Sequence, residues 1–348
     1  MESSTALVDV YHVKRRQERT KLIVMVLLTL GLAVLSMCVG RYSLAPGEML
    51  RVLFSNIFPF EETWTEMTQN VVFRVRLPRV CAALLIGGGL SLSGATYQGI
   101  FRNPLVSPDL LGISAGACVG AAIAILLSLG NSGIQVFALA GGLIAVACSV
   151  TIPKILKNNS TLMLVLAGVI VSGFMNSMIG LLKYVADVET QLPVITYWQM
   201  GSLADVNPEQ VLAVLPAILV SVVALICLRW RVNLLSLGDD EASTLGINIK
   251  MTRGLLIVFS TLLTGCSVCI AGIVGWVGLI VPHLTRLVVG PDNTRLLPMS
   301  FFVGASFMLV IDTIARTVTS AEIPLSILTG AIGAPLFIWL LLRTKTRL

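Results

Sequence analysis

The sequence predicts an all-α integral membrane protein of ten transmembrane helices with both termini cytoplasmic. Three observations carry that prediction. Of 348 residues, 56% are hydrophobic and 12% charged, about half the charged share of an average soluble domain, and the mean hydropathy is +0.91. Uncharged apolar runs recur at the length of about 20 residues that a helix needs to cross hydrocarbon. Basic residues gather at the ends of alternate runs, as the positive-inside rule requires.

Runs at 22–40 and 80–101 supply the first two spans. Residues 110–153 carry no charge over 44 positions, too long for one crossing. Gly130-Asn131-Ser132-Gly133 divides that stretch into a third and a fourth span. The fifth and sixth occupy 158–182 and 210–228. The run 254–285 is again double length and breaks near 272–275, giving a seventh and a short eighth span. Residues 296 to about 316 and 323–342 make the ninth and tenth. An even count places both termini on one side. With the N-terminus inside, inner segments hold 17 of the 24 Lys and Arg and outer segments hold 7. The chain thus divides into a basic cytoplasmic tail (1–21), one ten-helix domain (22–343) and a short cytoplasmic tail (344–348). Leu35-Ser36-Met37-Cys38 faintly resembles a lipoprotein cleavage box, but Met37 is too large for its small-residue position, so the first helix is read as retained.

Composition excludes several functions. The net charge of +6 sits at span ends, where it reads as topology signal rather than nucleic-acid contact. The seven cysteines lie in or beside apolar runs. Cys266 and Cys269 form C-x-x-C without a second pair, so buried thiols are expected rather than a metal or redox site. His12 and His283 are the only histidines and no catalytic cluster is visible. No G-x-x-x-x-G-K-[ST] loop is present, so the chain is not expected to hydrolyse ATP. An ion-coupled secondary transporter needs acids at mid-membrane; only Asp312, near an outer end, lies in a span.

The residues that carry function are polar islands. The stretch LSLGDDEASTLGIN (235–248) places Asp239, Asp240 and Glu241 side by side, with Arg229, Arg231, Lys250 and Arg253 flanking them. Held between two spans on the inner side, it reads as a docking surface for a soluble motor. The outer segment 41–79 is acidic at Glu61, Glu62 and Glu66 and ends in Arg74-Val75-Arg76-Leu77-Pro78-Arg79, with Pro78 suited to a first helical turn. Its arginines read either as snorkelling groups or as a patch for an acidic partner. Gly87 to Gly89, Gly94, Gly112, Gly116 and Gly120 make small-residue faces for close helix packing. Segment 102–109 holds two prolines and is expected to turn. Ser172 and Asn176 are expected to face the bundle interior, either lining a pathway or bonding a neighbouring helix. Tyr197 and Trp198 fit an interfacial belt. His283 beside Pro282 is expected to bond a freed carbonyl, and Asp312 and Arg316 to pair at i, i+4. Two four-helix blocks of opposite orientation would permit an inverted repeat, though no repeat is evident in the residues.

Several motifs in order then resemble one family. They are Arg76-Leu77-Pro78-Arg79, Gly94-Ala95 with Gln98, Asn103-Pro104-Leu105, Pro108 to Gly112, Leu166-Ala167-Gly168, Leu237-Gly238 with Leu245-Gly246, Gly278-Leu279-Ile280-Val281-Pro282-His283, and Gly333-Ala334-Pro335. Together they resemble the permease subunits of type II ATP-binding-cassette (ABC) importers for ferric siderophores, haem and cobalamin. The resemblance runs along nearly all of the chain after the first twenty residues. It implies a cobalamin-permease-like bundle in the cytoplasmic membrane of a prokaryote. It also implies a second permease subunit, two cytoplasmic ATPases that use ATP, an external substrate-binding protein and surrounding lipid, with no cofactor on this chain. It implies ATPase coupling through Leu237, Gly238, Asp239, Asp240, Glu241, Leu245 and Gly246, with the acids shifted relative to the family pattern. By the same resemblance Arg76, Arg79 and Arg316 are docking positions for the binding protein. Asn103, Leu105, Ser160 and Thr161 belong to loops that narrow the cytoplasmic exit, the match at 160–161 being looser because Met163 replaces a basic residue. The expected cargo is an iron chelate, a ferric siderophore or haem. The alternatives are a corrinoid permease of the same class and an ion-coupled secondary transporter.

Overall fold

The computed structural model describes residues 2–61, 64–158 and 160–345. Glu62 and tail residues 346–348 lie outside them, as do the side chains before Arg16, that of His12 included. The described residues form helices and no strand: α1 (Glu2–Cys38), α2 (Pro46–Phe54), α3 (Glu66–Asn70), α4 (Leu77–Ile100), α5 (Ile113–Leu126), α6 (Gly130–Ile155), α7 (Thr161–Val185), α8 (Gln191–Met200), α9 (Pro208–Leu237), α10 (Asp239–Thr244), α11 (Ile249–Ala271), α12 (Val277–Val289), α13 (Asn293–Thr317) and α14 (Leu325–Lys345). Seven are long and apolar enough to cross a membrane: α1, α4 with the helical turns before it, α6, α7, α9, α11 and α13. Shorter apolar helices, α5, α12 and α14, occupy the places expected for the third, eighth and tenth spans.

The fold is built around α4. Its sequence offers almost no bulk on one side, and every residue from Ile86 to Ile100 is buried. A Cβ on Gly94 would run into the carbonyl oxygen of Gly278 in α12, and one on Gly87 would run into that of Gly304 in α13. Backbones that approach this closely gain dispersion contacts that larger side chains would forbid. Two polar groups on α4 are satisfied across the interface with α11. Ser93 donates to the Ser260 carbonyl at 3.0 Å, and the Tyr97 hydroxyl meets Thr261 at 3.0 Å. α1 is held to the outside of α13 through Thr29 and Ser306, 2.8 Å apart. α4 and α13 run antiparallel: Arg79 at the start of α4 meets Asp312 near the end of α13, while Gly99 lies beside Asn293 at the other ends. A 24-residue helix spans about 36 Å, so these two ends lie on opposite faces of the protein.

The structure shifts several expected boundaries. The first helix starts at Glu2, so the basic stretch before Leu22 continues it rather than preceding it. The break between the third and fourth spans falls at 127–129, where Ser128 takes a positive φ of 53°. Gly130 to Gly133 instead form the first turn of α6, where weak helix formers cost least because the N–H groups there lack intrahelical partners anyway. α9 runs to Leu237, nine residues past the predicted end of its span. Ser172 is half-buried, with its hydroxyl close over Gly112, but Asn176 is exposed on the flank of α7 and does not face the interior of this bundle. The break before the eighth span lies where expected, at 272–276, with Gly272 and Trp276 both at a φ of 68°.

The α4 contacts yield a test. Gly94→Val is expected to destabilise the chain by about 3 kcal/mol or more, because backbone cannot move aside as a side chain can. Gly254→Ala, where nothing lies within 4 Å, should leave stability unchanged. Thermal unfolding of both variants in detergent checks this, and equal melting temperatures would refute the close-packing account.

Candidate functional site

Functional residues collect at the two ends of the bundle. At the end that carries the termini of α9 and α11, the polar island folds into a rigid corner. Val232 and Leu235 are fully buried and root α9, and the chain turns at Gly238, where φ is 138°. A Cβ there would strike the Glu241 carboxylate, and Arg102 lies on the same spot, its Nη1 3.5 Å away. α10 follows with Asp239, Asp240 and Glu241 in its first turn, where negative charge complements the helix dipole. Asp239 is fixed to Arg253 of α11 at 2.7 Å. α10 ends in a Schellman motif: Gly246, at φ 78°, donates to the Ser243 carbonyl at 3.0 Å, and Ile247 donates to that of Ala242 at 3.3 Å. Asn248 then caps α11 by accepting from the Met251 N–H at 3.0 Å. Ala242 faces inward and is fully buried, whereas Leu237 and Leu245 are 58% and 57% exposed. The LG…LG frame therefore has a local cause: each glycine makes a turn, and each leucine is left pointing outward.

The turn after α4 lies beside this corner. The Asn103 side chain accepts from the Leu105 N–H at 2.9 Å, an Asx turn that holds Leu105 outward, 56% exposed. Two side chains tie the turn to its surroundings. His283 Nε2 lies 2.8 Å from the Pro104 carbonyl oxygen, and Gln98 donates to the Val106 and Leu279 carbonyls at 3.3 and 3.2 Å. Arg286 donates to Gln98 at 2.5 Å. His283 thus serves a carbonyl of another element, not one freed by Pro282 in its own helix. Ser160 is the N-cap of α7, accepting from the Met163 N–H at 3.3 Å, with Thr161 as the first helical residue. Among the described residues no hydrogen bond joins 103–105 to 160–161.

At the opposite end, Arg76, Arg79 and Arg316, expected as docking positions, come together but are buried. They are 3%, 5% and 8% exposed. Arg79 reaches Asp312 through Nε at 2.8 Å and grips Glu322 through both terminal nitrogens at 2.8 Å each. Arg316 lies 3.5 Å from the other Asp312 oxygen, the i, i+4 pair expected from sequence. Arg76 and Arg316 also end α1. Arg76 donates to the Met37, Cys38 and Tyr42 carbonyls, and Arg316 donates to the Ser36 carbonyl and, at 2.8 Å, to its hydroxyl. The Ser36, Met37 and Cys38 carbonyls are the last of α1; such carbonyls have no intrahelical donor and carry the helix's negative dipole end. All three guanidinium groups are engaged within the chain, while Arg51 and Arg74 are exposed at the same end. Glu322 was not anticipated. Its only sequence signal is an acid at the outer end of a span, across from arginines.

A cavity of about 420 Å³ opens between α8, the start of α9 and the end of α11, lined by Tyr197, Trp198, Asp205, Gln210 and Cys269. Trp198 and Tyr197 therefore wall a cleft in addition to any belt role. No group of three or more His, Cys, Asp or Glu placed to hold a metal occurs among the described residues.

The model of the FecCD transport family matches residues 27–343. The molybdate import system permease protein of Haemophilus influenzae is 42% identical over 88% of this chain and 90% of its own length. An iron chelatin transport system permease protein of Helicobacter pylori is 38% identical over 90% and 95%. The vitamin B12 import system permease protein of Klebsiella pneumoniae is 37% identical over the whole of both chains. A solved inward-facing structure of a metal-chelate type ABC transporter superposes with a TM-score of 0.83 at 41% identity, covering 93% of this chain and 99% of that one.

The arginine cluster yields a second test. Arg79→Ala leaves the fully buried Asp312 with only the longer contact to Arg316, and removal of one partner of a buried pair costs about 3–5 kcal/mol. Arg74→Ala, at an exposed position, should cost no more than about 0.5 kcal/mol. The double variant Arg79→Met/Asp312→Leu should recover part of the loss, the remainder reflecting Glu322 and Arg316, which each lose an ion-pair partner. Equal unfolding temperatures for the two single alanine variants would show that the buried pairing contributes nothing.

Proposed function

The chain belongs to the FecCD transport family, and from that premise we propose that it is the transmembrane permease subunit of an ABC importer in a prokaryotic cytoplasmic membrane. In this reading ten helices cross, both termini are cytoplasmic, and the end that carries α10 faces the cytoplasm. The observation that carries the proposal is the exposure of Leu237 and Leu245 on a corner braced by Asp239–Arg253 and the Schellman turn. Large apolar side chains held rigidly on a polar surface mark a protein-docking site, and here they would enter a cleft of the ATPase.

The same geometry supplies a route for the motion. Arg102 sits against the Gly238 turn and directly precedes Asn103 and Leu105. A displacement of the corner by the closing ATPases would thus reach the exit loop, and His283 and Gln98 would pass it to α12. The path itself lies between two permease subunits. α7 supports this reading: Gly173, Asn176, Ser177 and Gly180 follow i, i+3, i+4, i+7 spacing and are all exposed. A polar, uncharged stripe on the outside of a membrane helix belongs against water or a partner rather than lipid. The loaded binding protein docks at the opposite end. There the buried Arg76, Arg79 and Arg316 hold the rim in shape, and Arg51 and Arg74 offer free charge to acidic groups.

The proposed cargo is an iron chelate. A second reading, molybdate, is favoured by the 42% identity to a permease named for that oxyanion. Uptake into vesicles that contain the chain, its ATPase and its binding protein separates the two: labelled ferric siderophore should accumulate, and excess molybdate should not compete. Competition by molybdate would replace the first reading with the second.

Coupling is tested with Leu237→Asp/Leu245→Asp. Burying a leucine contributes about 1.5–3 kcal/mol, so loss of two contacts should weaken permease-stimulated ATP hydrolysis by at least about tenfold, with folding intact because both side chains are exposed. Uptake driven by an ion gradient without any ATPase would overturn the proposal in favour of a secondary transporter.

A further inference from the structure

Charge stops abruptly along α1. Arg16, Arg19 and Lys21 lie within two turns, and no further charge follows until Arg41. At that level a cleft of about 820 Å³ opens between α1, the last turns of α9, the end of α12 and the first turns of α13. Its walls carry Arg16, Arg19, Arg229 and Arg295, and its lining includes the apolar Leu22 and Met299. The cleft is held in shape from both sides. Lys21 donates to the Val288 carbonyl at 2.9 Å, and Arg295 pairs with Glu18 across to α1 and with Asp292 at 3.4 Å.

The charge balance is uneven. Glu18 is taken by Arg295. Asp292 is engaged by Asn233 at 2.6 Å and by Thr294. Burial alone would raise its carboxyl, but these hydrogen bonds and the nearby Arg229 charge bring it below its ordinary value, so it stays charged. Arg16, Arg19 and Arg229 make no ion pair within 4 Å among the described residues. Three guanidinium groups thus face one amphipathic cleft at the depth where a helix passes from charged to apolar.

We propose that this cleft binds the phosphodiester headgroup of an anionic phospholipid from the adjoining leaflet. Arg16, Arg19 and Arg229 hold the phosphate, and Leu22 and Met299 meet the glycerol and upper acyl chain. Guanidinium forks match phosphate oxygens in geometry as well as charge, and basic clefts between helices at the membrane surface take anionic headgroups. The apolar lining favours a lipid over free phosphate, which would use only the cationic half. That the leaflet is the cytoplasmic one rests on the proposed topology; the binding itself does not depend on transport.

The test uses the full chain, delipidated in detergent and titrated with dioleoyl phosphatidylglycerol, dioleoyl phosphatidylcholine or inorganic phosphate. Native mass spectrometry counts retained lipid, and thermal unfolding reads the stabilisation. Phosphatidylglycerol should bind at one tightly held copy per chain and raise the melting temperature, whereas phosphatidylcholine and inorganic phosphate should not. Arg16→Gln/Arg19→Gln/Arg229→Gln should weaken that binding on the order of 100-fold. Arg41→Gln/Arg51→Gln/Arg74→Gln, an equal charge change at the other end, should leave it intact. If the inner triple variant does not fold, Arg16→Gln/Arg19→Gln alters exposed positions only and should still weaken binding. Equal loss in both triple variants, equal binding of phosphatidylcholine, or full competition by inorganic phosphate would overturn the proposal. Because neither readout involves an ATPase, failure of coupling would leave this site standing, and failure here would leave the permease reading untouched.

Discussion

Within a bilayer no charge and no backbone carbonyl can rely on water, so each must find its partner inside the protein. The cluster at the end of α1 meets that requirement for several elements at once. Asp312 is fully buried on α13, and Arg79 reaches it from the start of α4. Glu322 takes the remaining nitrogens of Arg79 from the loop after α13. Arg76 and Arg316 turn to the last carbonyls of α1. Five side chains thereby close one helix terminus and lock four chain segments in register. Such a network is costly to disturb, because loss of a member leaves a buried charge or a helix-end carbonyl short of a partner.

With that end pinned, the rest follows from how closely α4 can be approached. Its glycines allow α12 and α13 to pack backbone against backbone. Hydroxyl contacts to α11 complete the ring. In the proposed mechanism the opposite end, where α10 sits, is the place where the chain responds. There the turn after α4 is tied to α12 by side-chain hydrogen bonds from His283 and Gln98. The two ends are joined by helices about 36 Å long. The amphipathic cleft between α1, α9 and α13 lies at the responsive end, where a bound lipid would brace the outer helix against the core.

The elements that repeat a simple pattern were legible from the chain alone. Uncharged runs marked every apolar helix, including the interruption at 272–276, because a span must be apolar along its whole length. The LG…LG frame pointed to the corner, and the structure supplies the cause: Gly238 and Gly246 take dihedrals that other residues resist. The break at 127–129 was misplaced because Gly and Asn mark a helix start as readily as a loop. Asn176 was misread because a polar residue in an apolar helix announces that it avoids lipid, not whether it turns to its own bundle or outward.

Sequence by itself determined the class of protein, the order of the apolar segments and the position of the polar corner at 235–248, since each depends on local composition. Only the tertiary structure decided which charges are free. Arg74, Arg76 and Arg79 stand within six residues, yet one is exposed and two are buried. The difference arises from Asp312 and Glu322, more than two hundred positions away, and from the open carbonyls of α1. No local pattern encodes such partners, because a guanidinium is placed by whatever the folded chain brings to it.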